Sequence, residues 1–287
     1  MDTNRRSKRN WLITGVSSGL GRAVAREAAL QGRSVVGTVR NRQDAEIFER
    51  DVPGARAIVT DLMENDAPGD VVAGALDLLG QVDVLVNNAG RGFTAAVEEA
   101  SPAEIRDLFE LNFMVPVAMI QAVLPHMRRQ GDGHVVNVTS ISGFKPWSGT
   151  GVYCASKFAL EGLGQALAQE VEPFGIKVTN VQPGSLRTDF NGRSLGTSRQ
   201  MIDDYADGAH FARRALARSD GKQPGDPQKA ARAILLAVDA GNPPLNLLLG
   251  TDAVMMANQR IAALLLDMGR WGGVSETIGF DDPAPIS

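Results

Sequence analysis

The sequence contains few of the residues that form disulfides or bind metals. It has one cysteine, Cys154, and three histidines in 287 residues. A single cysteine excludes a disulfide within the chain and is typical of a reducing compartment, so we expect a cytoplasmic protein. The histidines, at positions 126, 134 and 210, do not have the spacing of metal ligands, and we therefore predict no metal site.

Long apolar runs and an excess of basic residues are also lacking. No apolar stretch suggests a membrane span, and the amino terminus lacks the apolar segment of a secretory signal. The formal net charge is −4 at pH 7, which argues against a general nucleic-acid binder. Residues 1–9 carry a short basic run and are expected to form a flexible tail. Neither a nucleic acid nor a membrane is expected as a partner.

The sequence does contain a regular alternation of short apolar runs and segments with helical periodicity. Such an alternation predicts an α/β fold, a doubly wound parallel sheet (Rossmann-like) with helices on both faces, in a single domain over residues 10–287. Sheets of this kind bind ligands beyond the carboxyl ends of their strands. About seven strands are predicted, at residues 10–14, 34–39, 55–60, 82–87, 133–140, 175–182 and 245–250.

A glycine-rich turn, TGVSSGLG at 14–21, follows the first predicted strand and begins a helix. Gly15 permits a tight turn, Gly19 lets the backbone approach a phosphate, and Gly21 allows the helix to pack closely on the strand. The free amides of the helix N-terminus attract an anion. The turn therefore predicts a nucleotide site, with a spacing, Gly-x3-Gly-x-Gly, that differs from the commoner fingerprint.

The end of the second predicted strand favours a phosphorylated dinucleotide. An NAD-binding protein usually has an acidic residue there for the ribose hydroxyls, but this sequence has Arg40. A guanidinium suits a 2′-phosphate, and Ser17 adds a hydroxyl. Alone, Arg40 would be a surface arginine. Together with the glycine turn it predicts a preference for NADP(H), with NAD(H) still possible.

Tyr153 and Lys157 are four residues apart in the segment YCASK. In a helix they share one face, and a nearby ammonium favours the phenolate, as does the positive ring of an oxidised nicotinamide. The pKa of Tyr153 is therefore expected to fall below its usual value of about 10. The phenol could then exchange a proton with a carbonyl or alcohol oxygen near neutral pH.

Five motifs occur in a fixed order: TGVSSGLG, NNAG (87–90), Ser140, YCASK (153–157) and PGSLRT (183–188). Together they resemble the short-chain dehydrogenase/reductase family over roughly residues 10–250, and in particular its NADP-using branch of 17β-hydroxysteroid and retinol dehydrogenases. The resemblance implies an NADP(H)-dependent enzyme that acts on CH–OH groups. Such an enzyme interconverts a ketone or aldehyde and an alcohol by hydride transfer.

The resemblance also implies roles for the matching residues. The catalytic residues would be Ser140, Tyr153 and Lys157, and Asn112 would be the fourth member of this catalytic set. Tyr153 would be the general acid and base. Lys157 would also hold the nicotinamide ribose. The residues implied to bind the cofactor are Gly15, Ser17, Ser18, Gly19, Leu20, Gly21, Arg40, Asp61, Leu62, Asn88, Ala89, Gly90, Tyr153, Lys157, Pro183, Gly184 and Thr188.

Two segments are expected to shape the substrate site. Residues 186–225 are rich in Gly, Ser, Asp and Arg and predict a mobile lid, whereas residues 251–287 predict a C-terminal helical extension that covers the pocket or a subunit contact. The substrate is expected to be a small carbonyl or alcohol compound, partly apolar. The aromatic residues that either wall this pocket or belong to the core are Phe93, Phe144, Trp147, Phe190 and Tyr205.

Two helices carry further predictions. Small and apolar residues in FALEGLGQALAQEV (158–171) suit close helix packing, either on the sheet or in a homodimer or homotetramer, which the resemblance favours. Pro116 lies inside a predicted helix over 102–129 and cannot donate to the carbonyl of Asn112. It either frees that carbonyl for a water that resupplies the Tyr153 proton, or only bends the helix.

Two other functions stay open. One is a non-catalytic NADP(H)-sensing binding protein, although such proteins usually lose the tyrosine or the lysine. The other is an epimerase or dehydratase of the same superfamily, although those relatives are usually longer and have a different glycine spacing. Oxidation of NADPH with a panel of ketones would distinguish the three.

Overall fold

The computed structural model describes residues 9–190, 192 and 194–280. Seven of its nine strands form one parallel sheet in the order β3–β2–β1–β4–β6–β7–β9, which is the predicted fold. The strand order reverses beside β1, because the chain first builds outward through β2 and then returns to the other side through β4. The strands are β1 (Trp11–Ile13), β2 (Val35–Val39), β3 (Arg56–Val59), β4 (Val84–Asn87), β5 (Gly92–Thr94), β6 (Gly133–Val138), β7 (Ile176–Pro183), β8 (Leu195–Thr197) and β9 (Asn246–Leu249).

Helices cover both faces of this sheet and make two separate apolar layers. Trp11 and Ile13 point into one layer and Leu12 into the other, as successive residues of a strand must. The first layer contains α1, α2 and α8, and the second contains α3, α5 and α6. The helices are α1 (Gly19–Leu30), α2 (Arg42–Asp51), α3 (Ala67–Leu79), α4 (Pro102–Phe109), α5 (Val115–Gln130), α6 (Gly151–Val171), α7 (Ala209–Ser219), α8 (Pro227–Asp239) and α9 (Thr251–Ser275).

A π-helical turn, Glu110–Met114, joins α4 to α5. The Val115 amide donates to the carbonyl oxygen of Glu110, five residues back, and Pro116 follows without an amide to donate. The helix predicted over 102–129 is therefore continuous, and a wider π-helical turn replaces the α-helical hydrogen bonding just before Pro116. Wider turns of this type are frequent at functional sites.

By length and composition, Pro102–Gln130 is the one helical run of the described residues that could cross a membrane. Sequence inspection found no such stretch, because charged residues at both ends of the run obscure its apolar middle. Leu108, Met119 and Val123 on this run are fully buried. Packing against other elements therefore accounts for the apolar character of the run.

The predicted lid, residues 186–225, has secondary structure of its own. Within it β8 pairs in parallel with β5, and α7 follows. Glu99 accepts hydrogen bonds from the Ile202 amide at 2.7 Å and from His210 Nε2 at 2.6 Å. Glu104 accepts one from the Arg199 amide at 3.1 Å. These contacts attach the lid segment to the region that precedes and begins α4.

The two chain ends differ from each other in how they join the domain. Residues 1–8 and 281–287 lie outside the described residues, but Arg9, placed by the prediction in the flexible tail, donates from Nη1 to the Val238 carbonyl oxygen at 3.0 Å. The C-terminal extension is helical as predicted: α9, Thr251–Ser275, begins shortly after β9 ends. Its first turns pack on the body through Ala253 and Ala257.

Candidate active site

A cleft of about 550 Å³ lies at the carboxyl ends of the central strands, where the strand order reverses. Parallel sheets with this topology place their ligand sites at this edge. All the predicted site residues line the cleft except Gly21 and Asn112. Gly21 contacts the Asn88 side chain, and Asn112 contacts the Arg91 backbone, so both support residues of the cleft wall.

The glycine turn leaves no room for side chains. Gly15 and Gly19 have positive φ values of 71° and 61°, which glycine adopts without strain. A Cβ atom at Gly15 would lie 3.0 Å from the Ala89 Cα atom, and one at Gly21 would collide with the Asn88 side chain. The turn can therefore bring its backbone against a ligand only with these glycines.

The N-terminus of α1 is suited to a phosphate group. Its N-cap residue, Ser18, makes no side-chain hydrogen bond to the first turn, and the first turn has no acidic residue. The first amides of a helix lack partners within the helix and carry a partial positive charge. Ser17, Ser18 and Gly19 line the cleft here, so the donor set fits the pyrophosphate of a dinucleotide.

Asn88 joins the ends of β1 and β4. Its Nδ2 atom donates to the carbonyl oxygens of Thr14 at 2.8 Å and of Gly15 at 2.9 Å. In return the Thr14 hydroxyl oxygen accepts hydrogen bonds from the amides of Asn88 at 2.9 Å and Ala89 at 3.0 Å. The NNAG motif thus holds the glycine turn in place as well as lining the cleft.

Arg40 follows β2 directly and lines the cleft. Its guanidinium makes no hydrogen bond or ion pair with any described residue, whereas Arg42 nearby pairs with Glu46 at 3.6 Å. An unpaired guanidinium at this position is available to an anionic ligand. Asp61 and Leu62 line the same part of the cleft after β3.

Tyr153 and Lys157 lie on one face of α6 and are buried, while Ser140 follows β6 beside them. Burial raises the pKa of Tyr153 to about 12, and a hydrogen bond with Ser140 lowers it by less. The prediction that this pKa falls is therefore wrong for the protein alone. The two predicted causes were the Lys157 ammonium and the positive nicotinamide ring of a bound cofactor. In the protein alone, the ammonium donates to the carbonyl oxygen of Val138 at 3.0 Å.

Burial also shifts the pKa of Lys157, in the direction that favours the neutral amine. Its pKa falls to about 8, although the nearby charge of Glu161 raises it. At neutral pH the phenol of Tyr153 is therefore protonated and the amine of Lys157 is largely charged. This is the combination required to give a proton to a carbonyl oxygen.

Asn112 lies in the π-helical turn and is fully buried. Its Oδ1 atom accepts from the Arg91 amide at 3.0 Å. Its Nδ2 atom donates to the Arg91 carbonyl oxygen at 2.9 Å and to Ser156 Oγ at 3.1 Å. The side chain is thus occupied with positioning Arg91 and α6, and its predicted catalytic contribution is left to its backbone carbonyl.

The part of the cleft beyond Tyr153 is partly apolar. Phe93, Trp147 and Phe190 line it, and the rings of Phe190 and Tyr153 are 6.0 Å apart between centroids. Phe144 instead packs under α9, and the Tyr205 hydroxyl donates to Glu98 at 2.6 Å. Other lining residues were not predicted, because they come from separate elements without a common motif: Thr94, Leu195, Leu216 and Met256.

Comparison with known proteins agrees with this arrangement. A family model described as short chain dehydrogenase matches residues 9–197, which is more than half of the chain. The chain belongs to the short-chain dehydrogenase family. The seven-stranded sheet, the glycine turn and the Tyr153–Lys157 pair are therefore the family's fold and motifs as they occur in this member.

Two curated relatives are similar to this short-chain dehydrogenase along most of their length. The 3-ketodihydrosphingosine reductase of Bacteroides thetaiotaomicron is 36% identical over 240 residues, which is 83% of this chain and 87% of that protein. Retinol dehydrogenase 8 of Homo sapiens is 35% identical over 251 residues, which is 83% of this chain and 80% of that protein.

Solved structures show the same fold with two different cofactors. A short-chain dehydrogenase from Streptomyces avermitilis has a TM-score of 0.89 and 40% identity, and the match covers 97% of this chain and 100% of that one. A metagenomic short-chain oxidoreductase in complex with NADP has a TM-score of 0.68 and 26% identity over 85% of this chain and 98% of its own. A Burkholderia phymatum member in complex with NAD has a TM-score of 0.76 and 21% identity over 97% of this chain and 98% of its own.

Proposed function

We propose that this short-chain dehydrogenase is an NADP(H)-dependent oxidoreductase that interconverts a ketone or aldehyde and an alcohol. The observation that carries the proposal is the cleft, in which Ser140, Tyr153 and Lys157 meet the glycine turn and the unpaired Arg40. The donors of α1 and the guanidinium of Arg40 would hold the phosphates of the cofactor. Lys157 would hold the ribose next to its nicotinamide.

The residues of the cleft supply the proton chemistry of carbonyl reduction. The nicotinamide, when bound, supplies the hydride to the carbonyl carbon. Tyr153 gives its proton to the carbonyl oxygen, and a hydrogen bond from Ser140 stabilises the charge that develops there. The Lys157 ammonium stabilises the resulting phenolate of Tyr153. In the reverse direction the same phenolate accepts the proton of an alcohol.

The preference for NADP(H) rests on Arg40. The position after β2 carries a free positive charge where an acidic residue would favour NAD(H). The two solved relatives, one with NADP and one with NAD, leave both cofactors open for the fold. The free guanidinium makes NADP(H) the cofactor that we propose for this chain.

The substrate that we propose is a partly apolar ketone, aldehyde or secondary alcohol. Phe93, Trp147 and Phe190 would contact its apolar part, while Ser140 and Tyr153 face its oxygen. The names of the two curated relatives are consistent with this class, since 3-ketodihydrosphingosine and retinol combine one reacting oxygen with a long apolar portion.

The Tyr153→Phe variant tests this function, because it removes the proton donor and little volume. With a panel of apolar ketones, the wild type should oxidise NADPH, and Tyr153→Phe should lose turnover while its NADPH affinity changes little. Cys154→Ala is the control, since Cys154 is buried next to Tyr153 in the sequence but does not itself line the cleft. Equal turnover by wild type and Tyr153→Phe would refute the mechanism. NADPH binding without turnover on any ketone would favour a sensing protein.

We further propose that the protein forms a homodimer or homotetramer. On α6 the apolar residues Leu167 and Val171 pack on the sheet, but Phe158 at the beginning of the predicted surface is 40% exposed. The last helix adds a second apolar face, which continues the face that packs on the body through Ala253 and Ala257. The residues of this second face, all between 46% and 64% exposed, are Ile261, Leu264, Leu265, Met268 and Trp271.

The charges beside this face favour a second copy as the occupant. Arg260 and Asp267 are one heptad apart and lie along the same edge of the apolar face. In an antiparallel pair of α9 helices, each Arg260 meets the partner's Asp267. Light scattering should show an oligomer that Arg260→Asp weakens and that Arg260→Asp combined with Asp267→Arg restores. A wild type that remains a monomer at micromolar concentration would contradict the proposal.

A further inference from the structure

A buried carboxylate, Glu161, lies one helical turn beyond Lys157 on α6, and the mechanism above does not use it. Glu161 is only 4% exposed, which is rare for a glutamate. Residues four apart lie on one face of a helix, so the Glu161 and Lys157 side chains share a side of α6. The Lys157 ammonium is hydrogen-bonded to the Val138 carbonyl oxygen at 3.0 Å and lines the cleft. Glu161 therefore acts on it through space.

Three asparagines across the sheet form one directed chain of hydrogen bonds that ends at Glu161. Asn87 on β4, Asn137 on β6 and Asn180 on β7 are paired in the strand register. Asn87 Nδ2 donates to Asn137 Oδ1 at 3.0 Å, and Asn137 Nδ2 donates to Asn180 Oδ1 at 3.2 Å. Asn180 Nδ2 donates to Glu161 Oε2 at 3.0 Å. Each amide thus turns its positive end toward the carboxyl group.

The direction of this chain presents hydrogen-bond donors to Glu161, and donors favour the ionised form of a carboxyl group. A carboxylate only accepts hydrogen bonds, so the last amide must present its N–H groups, and this orients the two amides before it. At the far end of the chain, Asn87 Oδ1 has no partner among the described residues. The Thr139 hydroxyl lies against the other carboxyl oxygen, Oε1 of Glu161, and against the Val181 carbonyl oxygen at 2.8 Å, and its one proton is shared between these two acceptors. Burial raises the pKa of Glu161, and the hydrogen bonds from Thr139, Gln182 and Asn180 oppose that rise.

Few other charges surround this pair. Tyr153, Cys154 and Glu161 are the titratable neighbours of Lys157 on its own helix. The other segments that surround the pair, around Ser140 and Asn112, contribute neutral groups, and Arg91 near them is paired with Asp107. The strand residues around Glu161 are likewise neutral hydroxyl and amide side chains. The charge of Glu161 is therefore the main influence that opposes the loss of the Lys157 proton by burial.

We propose that Glu161 is a positioning residue for the reaction: its carboxylate, held by the asparagine chain and Thr139, keeps the Lys157 ammonium charged beside Tyr153. The kinetic consequence rests on the proposed function, because only there does the Lys157 charge stabilise the Tyr153 phenolate. The coupling between Glu161 and Lys157 needs neither cofactor nor substrate. The two statements can therefore be tested separately.

The kinetic test is the pH profile of ketone reduction by Glu161→Gln, which keeps the shape of the side chain and removes its charge. The alkaline limb that reports the loss of the Lys157 proton should move to lower pH by about 1–3 units, the usual effect of a neighbouring opposite charge. Glu161→Asp keeps the charge and should leave the limb closer to wild type. Glu170→Gln, on the exposed side of the same helix, is the matched control and should not move it. An unmoved limb in Glu161→Gln overturns the proposal.

The second test uses the protein without ligands. The pKa of Lys157 is about 8 in the folded protein and ordinarily 10.5, so the unfolded chain binds more protons between these values. The free energy of unfolding should therefore rise with pH across this window. In Glu161→Gln the rise should begin about 1–3 units lower, and in Lys157→Met it should be absent.

The two tests together separate the outcomes. If the wild type reduces no ketone but the stability window shifts, the proposed function fails and the Glu161 coupling stands. If ketones are reduced and neither the limb nor the window shifts, the Glu161 proposal fails alone. Thr139→Val, which removes one donor from the carboxylate at nearly constant shape, should produce a smaller shift of the same sign. It replaces Glu161→Gln if that variant does not fold, and an unmoved window in it counts equally against the proposal.

Discussion

Replacing Arg40 with alanine removes the guanidinium at the cleft edge that we propose distinguishes a 2′-phosphate from a 2′-hydroxyl. Arg40 is exposed and has no partner among the described residues, so its loss leaves no charge uncompensated and should not destabilise the fold. A charge-assisted hydrogen bond contributes about 1.5–3 kcal/mol, and exposure reduces that contribution. We therefore expect NADPH to bind roughly tenfold more weakly to Arg40→Ala, with NADH binding nearly unchanged.

The assay is the dissociation constant of each cofactor, measured by fluorescence titration at low and high salt. Because the charges are exposed, the difference between wild type and Arg40→Ala should shrink as salt screens them. Arg42→Ala is the matched control: Arg42 lies two residues further on, is 85% exposed and is already paired with Glu46. Arg40→Asp should add repulsion and turn the preference toward NADH. If Arg40→Ala weakens NADPH and NADH equally, or if wild type binds NADH as tightly as NADPH, the assignment is wrong.

Two further predictions concern the glycine turn and the proton chemistry. In urea unfolding, Gly21→Ala should lower the free energy of unfolding by about 1–3 kcal/mol, because its Cβ atom would collide with the Asn88 side chain and the Gly15 carbonyl oxygen. Gly69→Ala is the control and should not destabilise the fold, because nothing lies near its Cβ position. Equal stability of the two variants would contradict the packing argument. The rate of ketone reduction should be constant through neutral pH and fall above about pH 8. Lys157, with a pKa of about 8, loses its charge there, whereas Tyr153, with a pKa of about 12, stays protonated. A profile with its only alkaline limb near the usual tyrosine value of about 10 would contradict this order.

The seven-stranded sheet was predictable because each of its strands leaves a local signal. Trp11, Leu12 and Ile13 are all buried, since helices cover both faces of β1, and the resulting apolar run is visible without any knowledge of the fold. The small sheet of β5 and β8 gave no such signal. Its strands are three residues long and pair segments about a hundred positions apart, so neither periodicity nor composition marks them.

The motif did not allow the direction of the shift in the Tyr153 pKa to be predicted, and the reason is physical. The sequence shows the ammonium that is four residues away, but it does not show the burial that surrounds both groups. Burial disfavours the charged form of each, so it raises the pKa of the phenol and lowers that of the amine. The motif therefore identified the two groups to which we assign the proton chemistry, but not the protonation states in which the folded protein holds them.

The asparagine chain shows that the register of the sheet, and not a local motif, determines which groups surround the buried pair. Asn87, Asn137 and Asn180 each stand near the end of an apolar strand, and each alone looks like a polar interruption of that strand. They become one feature only when the parallel register places them side by side and their amides align. Because a buried amide must be satisfied, three of them in adjacent strands require a terminal acceptor or donor, and Glu161 on α6 is the acceptor. Polar residues at matched register positions of neighbouring buried strands thus indicate a buried charge close by, and here that charge lies one helical turn from Lys157.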